Sequence, residues 1–206
     1  MTLFRLAYHN LVFLPVTDVI YGTIKDFPGA GDAKYIIAYG YVDKDVGLTY
    51  EVLGWHTGDK AVSIPDDVRS FIRGNVIADM TGAQIDQVKW TPRLRERYKT
   101  KLEMLKSYDP PEIIERTRSF DFLDSGRHPL YVDDVQVLFV KPGLKHESCW
   151  ATIVSADTSC LRFWATLLNE PHQNFGVHEG DKFPFYVYPF EIANDVICKA
   201  WLPEEP

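Results

Sequence analysis

The chain has 206 residues, 46% hydrophobic and 25% charged, enough apolar material for one good core or two small ones and too much for a disordered chain. The longest stretch without Asp, Glu, Lys or Arg, Leu6 to Thr17, has 12 residues and includes His9, Asn10 and Pro15, short of the roughly 20 apolar residues of a membrane helix. With only Arg5 ahead of it and no small-residue cleavage pattern behind it, the reading expects no secretory signal, a cytoplasmic location and no membrane partner.

The three cysteines, Cys149, Cys160 and Cys198, are odd in number and lack CxxC spacing, which fits neither a disulfide framework nor a zinc site. The formal charge of −7 disfavours a protein devoted to the nucleic-acid backbone. It is unevenly spread. Lys89 to Lys106 carries seven cations against Glu96 and Glu103, a local +5 that leaves −12 for the remainder.

The first 65 residues read as β structure. Lys34 to Tyr41 and Leu48 to Trp55 are rich in Tyr, Ile and Val, and Asp43-Lys44-Asp45-Val46-Gly47 between them has the composition of a hairpin turn. Leu3 to Tyr8, Leu11 to Leu14 and Val19 to Ile24 are expected strands ahead of this hairpin, and Ala61 to Ile64 an edge strand after it. Asp66 and Asp67, with Val68, Phe71 and Ile72 at helical spacing and Gly74-Asn75 behind, predict a short helix. Thr91-Pro92, an N-cap followed by proline at the first helical position, opens a helix to about Tyr108. Leu94, Tyr98, Leu102 and Leu105 lie on one face of it, and Arg93, Arg95, Lys99 and Lys106 point away. Asp109-Pro110-Pro111-Glu112 predicts a cap and a further helix to about Ser119. Beyond Leu130, Asp134 to Val140, Ser148 to Ser155, Leu161 to Leu168 and Lys182 to Tyr188 read as four strands of a compact sheet or small open barrel. Trp150-Ala151-Thr152 and Trp164-Ala165-Thr166 read as facing strands of one hairpin with both tryptophans in the core. The fold expected is α+β: an N-terminal α+β region over 1–122 with a helical middle, and a C-terminal β domain over 130–206, as two domains or packed as one unit.

Glu147-Ser148-Cys149-Trp150-Ala151-Thr152-Ile153, then Leu167-Leu168-Asn169-Glu170-Pro171 and Gly180-Asp181-Lys182-Phe183, resemble an uncharacterised family of small bacterial β domains. Its members share a Trp-centred strand, a leucine-x-asparagine-x-proline strand end and a glycine-aspartate strand start. The resemblance covers about Asp134 to Ile192. It implies a bacterial or phage setting and an accessory role, sometimes beside toxin-defence genes, and supplies no catalytic residue.

Glu170, His172, His178 and Asp181 place two histidines and two carboxylates in one loop, suitable groups for acid-base or metal chemistry. No HExxH or comparable spacing holds them on one face, so polarity of a surface loop is the preferred reading and no metal is expected. Cys149 with His146 or His172 has the types of a thiol nucleophile and base, yet a cysteine beside a strand tryptophan lacks the electropositive setting a thiolate needs. Thr57-Gly58-Asp59-Lys60 and Gly29-Ala30-Gly31 match neither GxxxxGK nor GxGxxG and read as turns. The most specific surface feature is the basic helix over 92–107, which presents Arg93, Arg95, Arg97 and Lys99. The sequence therefore favours a non-enzymatic binding protein of the immunity or inhibitor kind, acting stoichiometrically on a protein partner without a cofactor. The alternatives are a hydrolase with its site in the 169–181 loop, and a nucleic-acid-associated module using the basic helix.

Overall fold

A computed structural model describes residues 2–78, 85–190 and 195–201. The protein is α+β, and its chain divides into two compact units, 1–109 with 129–131, and 110–128 with 132–206. Helix α5 (Glu112–Arg118) therefore falls in the second unit.

The first unit is built on an antiparallel sheet in the order β4 (Ala61–Ser63), β3 (Gly47–His56), β2 (Tyr35–Asp43), β1 (Leu11–Pro15) and β6 (Asp86–Val88), with β5 (Phe71–Arg73) also pairing β3. The hairpin forms where the turn residues placed it. β2 (Tyr35–Asp43) and β3 (Gly47–His56) pair with Asp43 opposite Gly47, and the Asp43 carboxylate accepts from the Asp45 N–H at 3.0 Å. Gly47 has φ 80°, where a β-carbon is strained. A bulge between Ile37 and Ala38 leaves Leu53 unpaired and packed among Leu11, Ile37 and Tyr98. β1 (Leu11–Pro15) and β4 (Ala61–Ser63) flank the hairpin, and β6 (Asp86–Val88), not expected from sequence, lines the far edge of β1.

Two of the expected strands are helices. In α1 (Leu3–Ala7) Thr2 Oγ1 accepts from the Arg5 N–H, and in α2 (Asp18–Tyr21) Thr17 Oγ1 accepts from the Ile20 N–H. Threonine caps outweigh the β propensity of such short apolar runs. Conversely, the helix predicted from Asp66 is absent. Phe71–Arg73 is instead β5, because the free edge of β3 offers it a partner, with Ile72 buried opposite Tyr50. The helix from Pro92 forms but breaks at Tyr98 into α3 (Pro92–Arg97) and α4 (Lys99–Leu105), followed by a 3-10 turn over Lys106–Tyr108. Its stripe packs as expected: Tyr98 and Leu105 are buried, and Leu94 and Leu102 cover the sheet beside Tyr98.

The second unit is a closed barrel of β7 (Asp134–Val140), β8 (Glu147–Asp157), β9 (Arg162–Leu167), β10 (Lys182–Phe190) and β11 (Asp195–Trp201). Successive strands are antiparallel, so the fifth runs in the direction of the first, and β11 closes on β7 in parallel, with Lys199 opposite Leu138. The four expected strands are present, and β11, unread in the sequence, turns the sheet into a barrel. Alternate residues fill it. Phe163 stacks on Phe185 with centroids 5.1 Å apart, and Phe139 meets Phe183 edge-on at 5.0 Å. Helix α5 starts after Pro111 without a side-chain cap, so Asp109 does not serve as predicted. It is tied to the start of β7 through the Arg118 guanidinium, which grips Asp133 at 2.9 and 2.6 Å.

The β8–β9 hairpin exists, but its tryptophans are not core residues. Cys149, Ala151, Phe163 and Ala165 point inward and are buried, which leaves Trp150 and Trp164 half-buried on the outer face.

Candidate functional site

The first unit carries an open cleft of about 600 Å³ between the sheet and the paired helices α3 and α4. One end is set by His9, in the left-handed region at φ 55°. That turn follows from the close approach of α1 to β2: a β-carbon on Gly40 would lie 2.3 Å from the Ala7 carbonyl oxygen, so only glycine fits. The His9 ring stacks on Tyr8 at 4.0 Å and lies 6.2 Å from Tyr39, with its Nε2 3.7 Å from the Asp109 carboxylate. Tyr39 meets Trp90 edge-on at 6.1 Å, and the Arg95 guanidinium lies over the Trp90 ring at 5.0 Å. An aromatic row thus lines the cleft and ends in a cation.

Its charge is balanced. Arg95, Lys99 and Lys106 face Glu96, Glu103 and Asp109, and Lys106 pairs with Glu103 at 2.8 Å. Tyr41, also in the lining, has its phenol pushed well above the ordinary range by burial and then by the charge of Glu51, so it is no acid or base near neutrality. Among the described residues the lining includes no serine, threonine or cysteine.

The four helix cations do not act as one row. Arg95 and Lys99 line the cleft and Arg93 is exposed outside it, whereas Arg97 is held against β4 by bonds from its Nε to Ser63 Oγ (2.6 Å) and from Nη2 to the Ala61 carbonyl (3.4 Å). Lys101 of the same basic segment is buried. Its ammonium donates to the Val68 carbonyl and lies 3.6 Å from Glu51, which also receives Arg69 in a two-pronged pair at 2.9 and 3.0 Å. His9, Tyr39 and Asp109 come from distant parts of the chain, and no local motif marks them as site residues. The one local signal was Trp90 directly before the Thr91-Pro92 helix start.

In the 169–181 loop the structure joins three of the four candidate groups. His178 Nδ1 is 2.7 Å from the Glu170 carboxylate, Glu170 also accepts from the Glu179 N–H, and Asp181 accepts from the His178 N–H at 2.8 Å. These bonds hold Glu170 below its usual pKa, first through the Glu179 N–H, and raise that of His178 through the Glu170 bond and charge. His172 stands apart, its backbone N–H donating to Glu147. The pair is exposed, at 69% for His178 and 54% for Glu170, and the contacts are those of a loop folded on itself. Among the described residues no group of three or more His, Cys, Asp or Glu is arranged to hold a metal. The Cys149 thiol is pushed up by burial, opposite to the shift a nucleophile needs.

The residues behind the family resemblance prove to be structural. Asn169 Oδ1 accepts the Trp150 N–H at 2.8 Å, and Gly180 and Asp181 bracket Leu167 through its backbone carbonyl and N–H. No known protein family, no curated protein and no solved structure matches this chain. Among the described residues no helix is long and apolar enough to cross a membrane.

Proposed function

We propose that this is a non-enzymatic binding protein that acts in the cytoplasm by covering a protein partner stoichiometrically, with the cleft between the sheet and helices α3 and α4 as its docking site. The observation that carries the reading is the Tyr39–Trp90–Arg95 cluster at the open face of the cleft. Trp, Tyr and Arg are the residue types that dominate binding energy at protein interfaces. The alternating charges of Arg95, Glu96, Lys99 and Glu103 favour a protein surface, itself of mixed charge, over a uniform run of phosphates.

The test is capture from the native host with wild-type protein and with Trp90→Ala and Arg95→Ala variants, followed by titration of the purified partner. Each truncation is expected to weaken binding by about 30-fold, the effect of losing a hot-spot residue. Replacing Arg93, Arg95 and Lys99 together with glutamine should slow association and flatten its salt dependence while leaving the melting temperature nearly unchanged. A partner held equally well by all these variants refutes the assignment.

A further inference from the structure

The outer faces of three adjacent barrel strands depart from the character of their unit. Because Phe163, Ala165, Phe183, Phe185 and Cys198 point inward, their neighbours point outward: Arg162 and Trp164 on β9, Tyr186 and Tyr188 on β10, Lys199 and Trp201 on β11. Arg162 is opposite Tyr186 and Tyr186 opposite Lys199, so one member from each strand lies in a single row. The Arg162 guanidinium stands 4.7 Å from the Trp164 ring and 5.7 Å from that of Tyr186, and Lys199 Nζ is 5.6 Å from the Tyr188 ring. Trp201 is 58% exposed and Tyr188 38%.

The charge is equally distinct. The second unit carries 8 Lys and Arg against 15 Asp and Glu, yet the sequence of these three strands holds Arg162, Lys182 and Lys199 against one carboxylate residue, Asp195 at the start of β11. Opposite Arg162 in register is Asp157, whose carboxylate accepts from both the N–H and the hydroxyl of Ser159 and also feels the Arg162 charge. The Arg162 guanidinium rests on the rings of Trp164 and Tyr186.

Rings interleaved with cations suit a chain whose own units alternate a flat base with a phosphate. The exterior of a closed barrel is convex, a surface along which an extended strand can lie. We infer that this face of the barrel binds single-stranded nucleic acid, with bases stacking on Trp164, Tyr188 and Trp201 and phosphates drawn to Arg162, Lys182 and Lys199. In the complex the phosphates take over the cations that rest on the rings, which frees the ring faces for bases.

The test is titration of the full chain with the 20-nucleotide homopolymers dT20 and U20 at 50 mM salt, read by quenching of tryptophan fluorescence. Binding is expected to weaken as salt rises, with the logarithmic slope falling by about 0.7 for each cation removed in Arg162→Gln and Lys199→Gln. Trp201→Ala and Tyr188→Ala, changes at exposed rings that leave the fold intact, are expected to weaken binding at least about fivefold each, the lower end for a lost stacking contact. Absence of binding at 50 mM salt overturns the inference, as does equal competition by polyglutamate, which would reveal mere attraction of a polyanion. Binding lost in the Arg93, Arg95 and Lys99 glutamine variant and kept in Trp201→Ala also overturns it, by placing the contact on the basic helix.

Discussion

Glu51 offers the sharpest test of how the first unit is held together. Its side chain and that of Lys101 are each 1% exposed, and the carboxylate takes Arg69 in two bonds with the Lys101 ammonium 3.6 Å away. Glu51→Gln keeps the shape but removes the negative charge that faces both cations. Lys101 is left buried beside the Val68 carbonyl without its countercharge, an uncompensated charge that costs about 3–5 kcal/mol. Lys101→Met removes the buried cation and leaves Glu51 paired with Arg69, so its cost is limited to the unbonded Val68 carbonyl, about 1–3 kcal/mol. The double variant should be more stable than the sum of the single losses implies, because both changes act on one pair. Urea unfolding followed by circular dichroism measures all three. If Glu51→Gln costs under about 1 kcal/mol, or if Lys101→Met proves the more damaging change, the buried Glu51–Lys101 pair with Arg69 does not hold this unit as described.

The barrel makes its own prediction: Phe163→Ala should destabilise by about 3–5 kcal/mol and Trp164→Ala by clearly less, since the phenylalanine is fully buried against Phe185 and the tryptophan lies outside, and urea midpoints of the two variants decide it. A thiol reagent at neutral pH should titrate one group per native chain, the exposed Cys160, and three after denaturation, because Cys149 and Cys198 are buried and burial pushes the Cys198 thiol up to about 12. The His178 imidazole should titrate above its ordinary value of 6.5 by NMR and fall back towards it in Glu170→Gln. The sign follows from linkage: the raised His178 value favours the folded loop below pH 6.5 and is lost as pH rises through the folded pKa, while the lowered Glu170 value favours it above 4.5 and is lost as pH falls, so the loop is best held between those limits.

The amino-acid sequence by itself determined the elements whose signals are local and long. The β2–β3 hairpin follows from two aromatic, β-branched runs around an Asp-Gly turn, the helix from Pro92 follows from its Thr-Pro start and apolar stripe, and four barrel strands follow from alternation between polar loops. Among the segments of five residues or fewer, Leu11–Pro15 and Ala61–Ser63 are strands as their composition indicates, and others were decided elsewhere. Leu3–Ala7 became a helix through a threonine cap and Phe71–Arg73 a strand through the free edge of β3, because a single turn of helix and a short strand show the same apolar spacing. Tertiary structure alone set the inside from the outside. Trp164 faces outward because the barrel's curvature and the pairing with β10 direct Phe163 inward, and closure itself depended on β11 meeting β7 across more than fifty residues. The candidate site divides in the same way. Arg95 and Lys99 were legible as helix cations, but only the fold carried His9, Tyr39 and Asp109 to the same cleft and drew Lys101 inward to Glu51, since a charge is buried only where a distant partner compensates its lost hydration.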